Sequence, residues 1–254
     1  MNKYAIVLAA GKGTRMRDPN PNRSKVSHEI LGKPLVNHVL DAIKPLELSK
    51  IVTIVGHAGE HTSTLVKDYS EIAWQREQKG TGHAVYQAAP ILGQLEGLTV
   101  ILCGDAPLIK TTTLQRLFNK HIKEGNDATV LGATVKNPHG YGRLIVVDGQ
   151  LTKIVEQKNC NEDEDKVNVV NTGVIVFNNK LLFELLSELK PNPVTNEYYL
   201  TDLIQIIREK GGRVGVYDKC GSREMKGVND PEQLAEAEAE LVRRNKISAS
   251  LKSR

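Results

Sequence analysis

Short runs of β-branched residues alternate with amphipathic segments of helix length along the first half of this 254-residue chain. The predicted elements are, strand and helix in turn, residues 4–9, 34–44, 51–55, 82–92, 98–103 and 111–123. Such alternation is typical of βαβ units, in which a helix crosses between two parallel strands. We therefore predict an α/β fold with a mainly parallel central sheet.

The second half of the chain has strand candidates that lie closer together. They are separated by turns containing Gly and Asn and comprise residues 128–135, 144–147, 151–156 and 169–177. This spacing favours antiparallel additions that form a smaller subdomain. The remaining predicted elements are helices at 180–189 and 199–209, a strand at 213–218 and a helix at 231–245.

Composition narrows the classes of partner. No apolar run approaches the roughly 18 residues that span a bilayer, so we expect a cytoplasmic protein without a membrane partner. A net charge of +4 and 4% aromatic residues argue against nucleic acid as a partner. The three cysteines lack metal-site spacing, which predicts reduced, structural thiols. Phosphorylated small molecules remain as candidate ligands.

A glycine-rich loop follows the first predicted strand. Gly11 and Gly13 would let backbone N–H groups approach phosphate oxygens, while Lys12 and Arg15 would supply positive charge. The loop lacks the Walker A pattern, and Met16 stands where a dinucleotide-binding motif has its third glycine. On these residues alone, a plain strand-to-helix turn with solvent-facing cations is an equal alternative.

Two further charged residues are candidates for contacting phosphate groups, either directly or through a metal ion. Lys25 follows the restrained segment 19–21 and could return a second ammonium to the phosphates, although a loop lysine commonly faces solvent. Asp105 ends an apolar strand, at the edge of the sheet where open α/β folds bind ligands, and a carboxylate there is a natural Mg²⁺ ligand. The alternative for Asp105 is a turn or cap before the helix at 111.

Several polar segments could recognise the organic parts of a ligand. Residues 75–84 offer amides, a hydroxyl and a Gly-Thr-Gly turn suited to a pyrimidine edge, or simply begin a helix. Residues 137–143, 155–158 and 170–173 could bind sugar hydroxyls. Taken alone, each of these segments is also consistent with an ordinary turn. His83 has no nearby nucleophile or carboxylate and is predicted to be structural. The acidic stretch 161–165 is predicted to be a solvated loop.

Eight motifs in one order carry a resemblance to a known family. They read LAAGKGTRM, QKGTGHAV, CGDAPLI, NPHGYGR, IVEQK, VNTG, NEYYLTD and GVND. From about Tyr4 to Asn229, the chain resembles the uridyltransferase domains of bacterial bifunctional N-acetylglucosamine-1-phosphate uridyltransferases, within the sugar nucleotidyltransferase family. The resemblance implies a Rossmann-like nucleotidyltransferase fold in which the antiparallel subdomain lies on the sugar side.

The resemblance also implies roles for individual residues. Asp105 and Asn229 would hold Mg²⁺, while Arg15 and Lys25 would contact the phosphates, which makes Arg15, Lys25 and Asp105 the expected catalytic set. The nucleotide, UTP, would lie on Leu8, Ala9, Ala10, Gly11, Gly13 and Thr14, with its base near Gln75, Gln78, Gly80 and Thr81. The sugar would be surrounded by Gly140, Glu156, Asn171, Tyr199 and Thr201.

The function implied is synthesis of UDP-N-acetylglucosamine and pyrophosphate from UTP and N-acetylglucosamine 1-phosphate. The alternatives are a uridylyl- or thymidylyltransferase acting on glucose 1-phosphate or another hexose 1-phosphate, and a non-catalytic protein that binds sugar nucleotides. The sequence leaves open the oligomeric state, strict UTP use and whether a separate acetyltransferase partner exists.

This chain departs from the family pattern at three places. Segment 17–24 before Lys25 is longer than usual, and Lys226 stands near Asn229 where an acidic residue is common. The bifunctional proteins continue into a left-handed β-helix that transfers acetyl groups. We expect residues 1–229 to form the nucleotidyltransferase domain and 230–254 a terminal helix and tail, without acetyl transfer.

Overall fold

The central sheet follows the strand order β11-β7-β10-β6-β1-β4-β5 in the computed structural model, which describes residues 1–20 and 22–252. The strands are β1 Lys3–Ala9, β2 Glu29–Ile30, β3 Lys33–Pro34, β4 Lys50–Val55, β5 Glu71–Trp74, β6 Leu98–Cys103, β7 Ala128–Thr134, β8 Arg143–Val147, β9 Gln150–Val155, β10 Val169–Asn178 and β11 Val214–Tyr217. The helices are α1 Leu35–Ile43, α2 Gly59–Val66, α3 Thr81–Tyr86, α4 Ala89–Leu92, α5 Thr111–Glu124, α6 Glu162–Asp165, α7 Asn179–Glu188, α8 Asp202–Glu209 and α9 Pro231–Lys252.

Four of the six strand pairs along this order are parallel. β1 pairs in parallel with β4 and β6, β4 with β5, and β11 with β7. β10 runs antiparallel between β6 and β7, and the antiparallel β8–β9 hairpin attaches to it where Arg143 faces Val170. The prediction of a mixed α/β fold with a mainly parallel sheet and a smaller antiparallel part is confirmed.

Both faces of the sheet are covered, which explains the apolar run in β1. Tyr4 and Ile6 belong to one core cluster, whereas Ala5, Val7 and Ala9 belong to the cluster on the opposite face. Successive side chains of a strand point to opposite faces, so a strand covered on both faces is apolar throughout. α1 and α5 cover one face, and α3, α7 and α8 cover the other.

Because β1, β4, β5 and β6 are parallel, their carboxyl ends lie at one edge of the sheet. The loops that follow them are therefore neighbours in space, although they are distant in sequence. This edge is where open α/β sheets bind ligands.

The structure differs from the predicted helices at several points. The helix predicted at 82–92 divides into α3 and α4, because Pro90 in the first turn of α4 has no N–H to donate to the preceding turn. The helix predicted from residue 199 begins only at Asp202, and Leu200 N–H donates instead to Thr81 Oγ1 at 3.0 Å. The last helix extends beyond 245 to Lys252.

The elements that were not predicted include β5, α2 and α6. β5 has only four residues, and α2 contains the β-branched Thr62, Thr64 and Val66, which lower helix propensity. The acidic stretch predicted as a loop is the one-turn helix α6. Asn161 accepts hydrogen bonds from the N–H groups of Asp163 and Glu164, and the Glu164 carboxylate accepts one from Asn161 N–H, so a capping box stabilises this turn.

The terminal helix α9 packs against the domain. Leu31 N–H donates to Glu238 at 3.0 Å, and the Arg244 guanidinium donates to the Leu108 carbonyl at 2.8 Å. Ala237 joins a small apolar cluster that includes Val228. Within the described ranges, no helix has the length and apolarity needed to cross a membrane.

Candidate active site

A cavity of about 340 Å³ opens at the carboxyl edge of the sheet, and we call it the nucleotide-side cavity. Most residues that the sequence assigned to the nucleotide and its phosphates line it. They are Leu8, Ala9, Ala10, Gly11, Lys25, Gln75, Gln78, Gly80, Thr81 and Asp105. The parallel strands thus bring together segments that no local pattern could connect.

Gly13, Thr14 and Arg15, which were also assigned to the nucleotide or its phosphates, lie outside this cavity. Gly13 and Thr14 line a neighbouring cavity of about 310 Å³, which Lys25 also borders. Arg15 is exposed on the 3₁₀ turn Thr14–Met16, outside the described lining of either cavity. Its predicted phosphate contact remains a prediction.

Lys25 connects the two residues assigned to the metal. Its ammonium donates to Asp105 Oδ2 and, at 2.9 Å, to Asn229 Oδ1. Asn229 is held there because the preceding Val228 N–H donates to the Asp105 carbonyl at 2.8 Å. The three side chains are separated by up to 204 positions along the chain. Two oxygens therefore converge on one cation.

The side-chain oxygens of Asp105 and Asn229 are chemically suited to Mg²⁺. Carboxylate and amide oxygens are hard donors that Mg²⁺ accepts, and this ion is commonly held by one or two carboxylates together with substrate phosphates. No group of three or more His, Cys, Asp and Glu side chains suited to a metal occurs among the described residues. Asp105 and Asn229 fit an ion that is shared with a phosphorylated ligand.

The end of segment 17–24 is anchored at Ser24, next to Lys25. Ser24 and Thr62 share a buried hydroxyl hydrogen bond of 2.7 Å, and Ser27 Oγ donates to the Ser24 carbonyl at 2.8 Å. These contacts fix the chain next to Lys25. Pro21, part of the segment predicted to be restrained, lies outside the described residues.

Lys226 is turned away from the predicted metal ligands. Its ammonium pairs with Glu236 of α9 at 2.7 Å, and both side chains are exposed. The unusual positive charge is therefore balanced on the surface. Asp105 is approached from this side by Gly227, where an added Cβ would lie 3.4 Å from Oδ1.

We predict that Gly13→Ala destabilises the protein and displaces Lys25. Gly13 has a left-handed backbone with φ of 62°, and an added Cβ would lie 2.4 Å from the Lys25 Cβ. The backbone conformation alone costs about 1–2 kcal/mol for a non-glycine residue. Denaturant unfolding should show a lower free energy of unfolding than that of wild type.

Gly11→Ala is the matched control for stability. An added Cβ at Gly11 meets no described atom within 4 Å, so unfolding should stay within about 0.5 kcal/mol of wild type. Wild-type stability in Gly13→Ala would contradict the close packing of Gly13 on Lys25.

The predicted base-reading segment is held by its own contacts and by residues 198–200. The buried Gln75 amide donates to the Gly80 carbonyl at 3.0 Å, and Gln78 Nε2 donates to the Gln75 carbonyl at 3.1 Å. Gly80 has φ of 97°, and an added Cβ would lie 2.6 Å from the Tyr198 carbonyl. Only glycine therefore fits at this crossing.

His83 lies beside this segment but lines a different cavity. Its ring nitrogens contact the side-chain amides of Gln75 at 3.1 Å and Gln87 at 3.2 Å. Burial, followed by the charge of Lys79, lowers the pKa of His83, which favours the neutral imidazole. These contacts agree with a structural role.

A larger cavity of about 770 Å³ adjoins the first, and we call it the sugar-side cavity. The two cavities share Leu8, Thr81, Cys103 and Tyr199 in their linings. Four of the predicted sugar residues line the second cavity, namely Glu156, Asn171, Tyr199 and Thr201. Gly140 is exposed and lies outside the described lining, although its N–H donates to Gln157 at 3.2 Å.

A local irregularity in β10 positions Asn171. The register of β10 against β7 shifts between Asn171 and Ile175, and Gly173 within this bulge has φ of 80°. Asn171 Oδ1 accepts the Gly173 N–H at 2.9 Å. Bulges re-aim side chains near functional sites, which explains how a residue of a core strand borders a cavity.

Asp202 and Cys103 also line the sugar-side cavity, and neither was assigned to a ligand from the sequence. Asp202, the first residue of α8, faces Glu156, and partial burial followed by this neighbouring carboxylate raises the pKa of Asp202. Cys103 lines both cavities, and burial, followed by the charge of Asp105, raises its pKa to about 12. The thiol therefore stays protonated and unreactive. Asp202 could have been recognised as a candidate site residue from the sequence, because it is the last residue of the NEYYLTD motif.

Comparison with known proteins places these features in context. Residues 4–222 match the profile of a protein family described as Nucleotidyl transferase. The chain is 47% identical to the Bifunctional protein GlmU of Streptococcus suis (strain 98HAH33) over 244 residues, which are 96% of this chain and 52% of that protein. It is 43% identical to the Bifunctional protein GlmU of Geobacillus sp. (strain WCH70) over 248 residues, which are 97% and 53% of the two proteins.

The chain thus spans about half the length of the curated relatives that it matches. Among solved structures, it is similar to a UDP-glucose pyrophosphorylase complexed with UDP-glucose, with a TM-score of 0.74. The match covers 96% of this chain and 100% of the other, at 19% identity. At that identity, the similarity supports the fold alone.

Proposed function

The chain belongs to the nucleotidyl transferase family, and we propose that it is an N-acetylglucosamine-1-phosphate uridyltransferase. The reaction joins UTP to N-acetylglucosamine 1-phosphate and releases pyrophosphate, leaving UDP-N-acetylglucosamine. The similarity to proteins named Bifunctional protein GlmU across 96% and 97% of this chain supports the proposal.

The observation that carries the proposal is the pair of adjoining cavities with Lys25 and Asp105 beside them. Amides and glycines suited to a pyrimidine base line one cavity, and polar side chains suited to sugar hydroxyls line the other. Since Thr81 and Tyr199 line both, a nucleotide and a sugar phosphate could lie side by side. Such placement favours a reaction between their phosphate groups.

The chain's own residues would assist this reaction mainly through charge and placement. An oxygen of the sugar phosphate attacks the α-phosphorus of UTP in line with the departing pyrophosphate, so two anions must approach each other. The Lys25 ammonium, at the border of the nucleotide-side cavity, would stabilise this charge. The attacking oxygen is already ionised, and a strong general base such as His83 is therefore not required.

Asp105 and Asn229 would hold Mg²⁺ close to Lys25. When bound there, the ion would neutralise phosphate charge and orient the phosphate groups. The convergence of the two side-chain oxygens on the Lys25 ammonium supports this assignment.

We also propose that residues 1–229 carry out the reaction and that the segment from 230 supports them. Through Glu238, α9 contacts Leu31, which follows β2, and through Arg244 it contacts the Leu108 carbonyl in the loop after β6. This packing stabilises the GVND segment, which ends next to α9.

A substrate panel tests the function. Pyrophosphate release should be fastest with UTP and N-acetylglucosamine 1-phosphate, compared with dTTP and with glucose, galactose and mannose 1-phosphates. A clear preference for glucose 1-phosphate would overturn the proposed substrate. Binding of UTP or a UDP-sugar by calorimetry without turnover of any pair would instead identify a non-catalytic binding protein.

A further inference from the structure

A buried arginine lies where the β8–β9 hairpin joins the central sheet. Arg143 is only 1% exposed and faces Val170 in the register of β10. Its guanidinium donates to the carbonyls of Pro138, at 2.8 Å, and Tyr141. A buried charge is unfavourable unless it is paired and hydrogen-bonded, so this arginine specifies the conformation of the loop around it.

The second arm of the same guanidinium reaches another loop. Arg143 Nη2 donates to Gln157 Oε1 at 2.7 Å and to Asp165 Oδ1 at 2.9 Å. Gln157 Nε2 also donates to Asp165 Oδ1, at 2.8 Å. Each of the three side chains thus contacts the other two, which fixes the orientation of the Gln157 amide.

This triangle ties together residues predicted to contact the sugar. Gln157 Oε1 accepts the Gly140 N–H at 3.2 Å, and Gln157 directly follows Glu156. The same loop includes Gly142, whose carbonyl accepts the Asn171 N–H at 2.8 Å. Gly140, Glu156 and Asn171 come from three segments, and the triangle lies where those segments meet.

The counter-charge comes from the short acidic helix α6. The Asp165 side chain is 56% exposed, yet it is the carboxylate that faces the buried guanidinium. α6 is held by its Asn161 capping box and by a 2.6 Å ion pair between Glu164 and Lys153 of β9. The acidic segment therefore does more than remain solvated, because it supplies the negative charge next to Arg143.

We propose that Arg143, Gln157 and Asp165 form a positioning network that sets Gly140 and Glu156 for the sugar of the sugar 1-phosphate. The inference rests on the proposed function, because it assigns the sugar to this side of the molecule. None of the three network residues is in the described lining of the sugar-side cavity, so they act through the residues they hold. The network recognises no ligand atom itself.

Asp165→Ala is the test variant, because the exposed side chain can be removed without opening the core. The KM for N-acetylglucosamine 1-phosphate should rise on the order of tenfold, since small misplacements of binding groups weaken binding strongly. The KM for UTP and kcat should change less than twofold. Asp165→Asn keeps an oxygen acceptor for both donors and should show a smaller rise.

Asp163→Ala is the matched control from the same helix. Asp163 is exposed, and its carboxylate pairs with Lys166 three residues away. Its kinetics should match wild type. An equal rise in both KM values for Asp165→Ala, or the same effect in Asp163→Ala, would overturn the network.

Hydrogen exchange in the ligand-free protein gives a readout that does not depend on turnover. Asp165→Ala should speed exchange of the Gly140 amide and of amides in 157–165, while exchange in β1 stays unchanged. If wild type fails to use N-acetylglucosamine 1-phosphate, the proposed function fails and exchange still tests the network. If wild type is active and Asp165→Ala leaves exchange unchanged, the network proposal alone is wrong.

Discussion

Asp105→Asn is expected to lower turnover by about 10²-fold or more while the protein remains folded. Asp105 lies at the carboxyl end of β6, where its carboxylate accepts a hydrogen bond from Lys25 next to Asn229. Asparagine has nearly the same shape and keeps an oxygen acceptor. It removes the negative charge that attracts either a divalent cation or the Lys25 ammonium. Pyrophosphate release at limiting Mg²⁺ is the measurement.

Glu236→Gln is the control for this loss of charge. Glu236 has an exposed carboxylate that pairs with Lys226 on the surface. Both residues are close to Asn229 in sequence. Its turnover should equal that of wild type. Wild-type turnover of Asp105→Asn at limiting Mg²⁺, in a protein with normal unfolding, would refute the metal-binding role of Asp105.

Lys25→Met is expected to lower kcat by about 10²-fold or more, because one donor aimed at developing phosphate charge is lost. Methionine retains much of the apolar stem that packs against Gly13 and the neighbouring loop. The effect should therefore appear in single-turnover rates with UTP more than in thermal unfolding.

The same variant gives a second, independent result. In the structure the Lys25 ammonium occupies both oxygens that would bind the metal. Mn²⁺ binding to the nucleotide-free protein, followed by electron paramagnetic resonance, should be tighter in Lys25→Met than in wild type, because no protein cation competes. By reciprocity, UTP phosphates that draw the ammonium away should tighten Mn²⁺ binding in wild type.

Lys226→Met separates this local competition from a general effect of charge. It removes one positive charge that is balanced by Glu236 on the surface. Both kcat and Mn²⁺ affinity should remain at wild-type values. Unchanged Mn²⁺ affinity in Lys25→Met would show that the ammonium does not compete with the ion.

Much of the fold could be predicted because its signals are local. β1 and β6 are mainly apolar, since helices cover both faces of the sheet, and α5 has a clear amphipathic period. β5 and α2 were missed because a four-residue strand and a helix rich in β-branched residues resemble loop sequence. In these two elements, tertiary packing overrides weak propensity.

Only part of the candidate site could be predicted from the sequence, because some of its residues come from segments that are distant along the chain. The glycine-rich loop and the segment at 75–84 are continuous, and both border the nucleotide-side cavity. Arg15 is in the same continuous motif, yet its side chain is exposed, because neighbours in sequence need not point in the same direction. Asp202 borders the sugar-side cavity without having been singled out, because its neighbour Glu156 comes from a distant segment.

The alternation of strands and helices, the glycine-rich loop and the order of motifs that identifies the family can all be recognised in the amino-acid sequence. Three contacts depend on the folded chain: Lys25 binds Asp105 and Asn229, Lys226 pairs with Glu236 on the surface, and Arg143 joins two loops through Gln157 and Asp165. The physical reason is the range of the interactions. Hydrophobic period and turn chemistry act over a few residues, whereas side-chain contacts depend on which strand ends the sheet brings together.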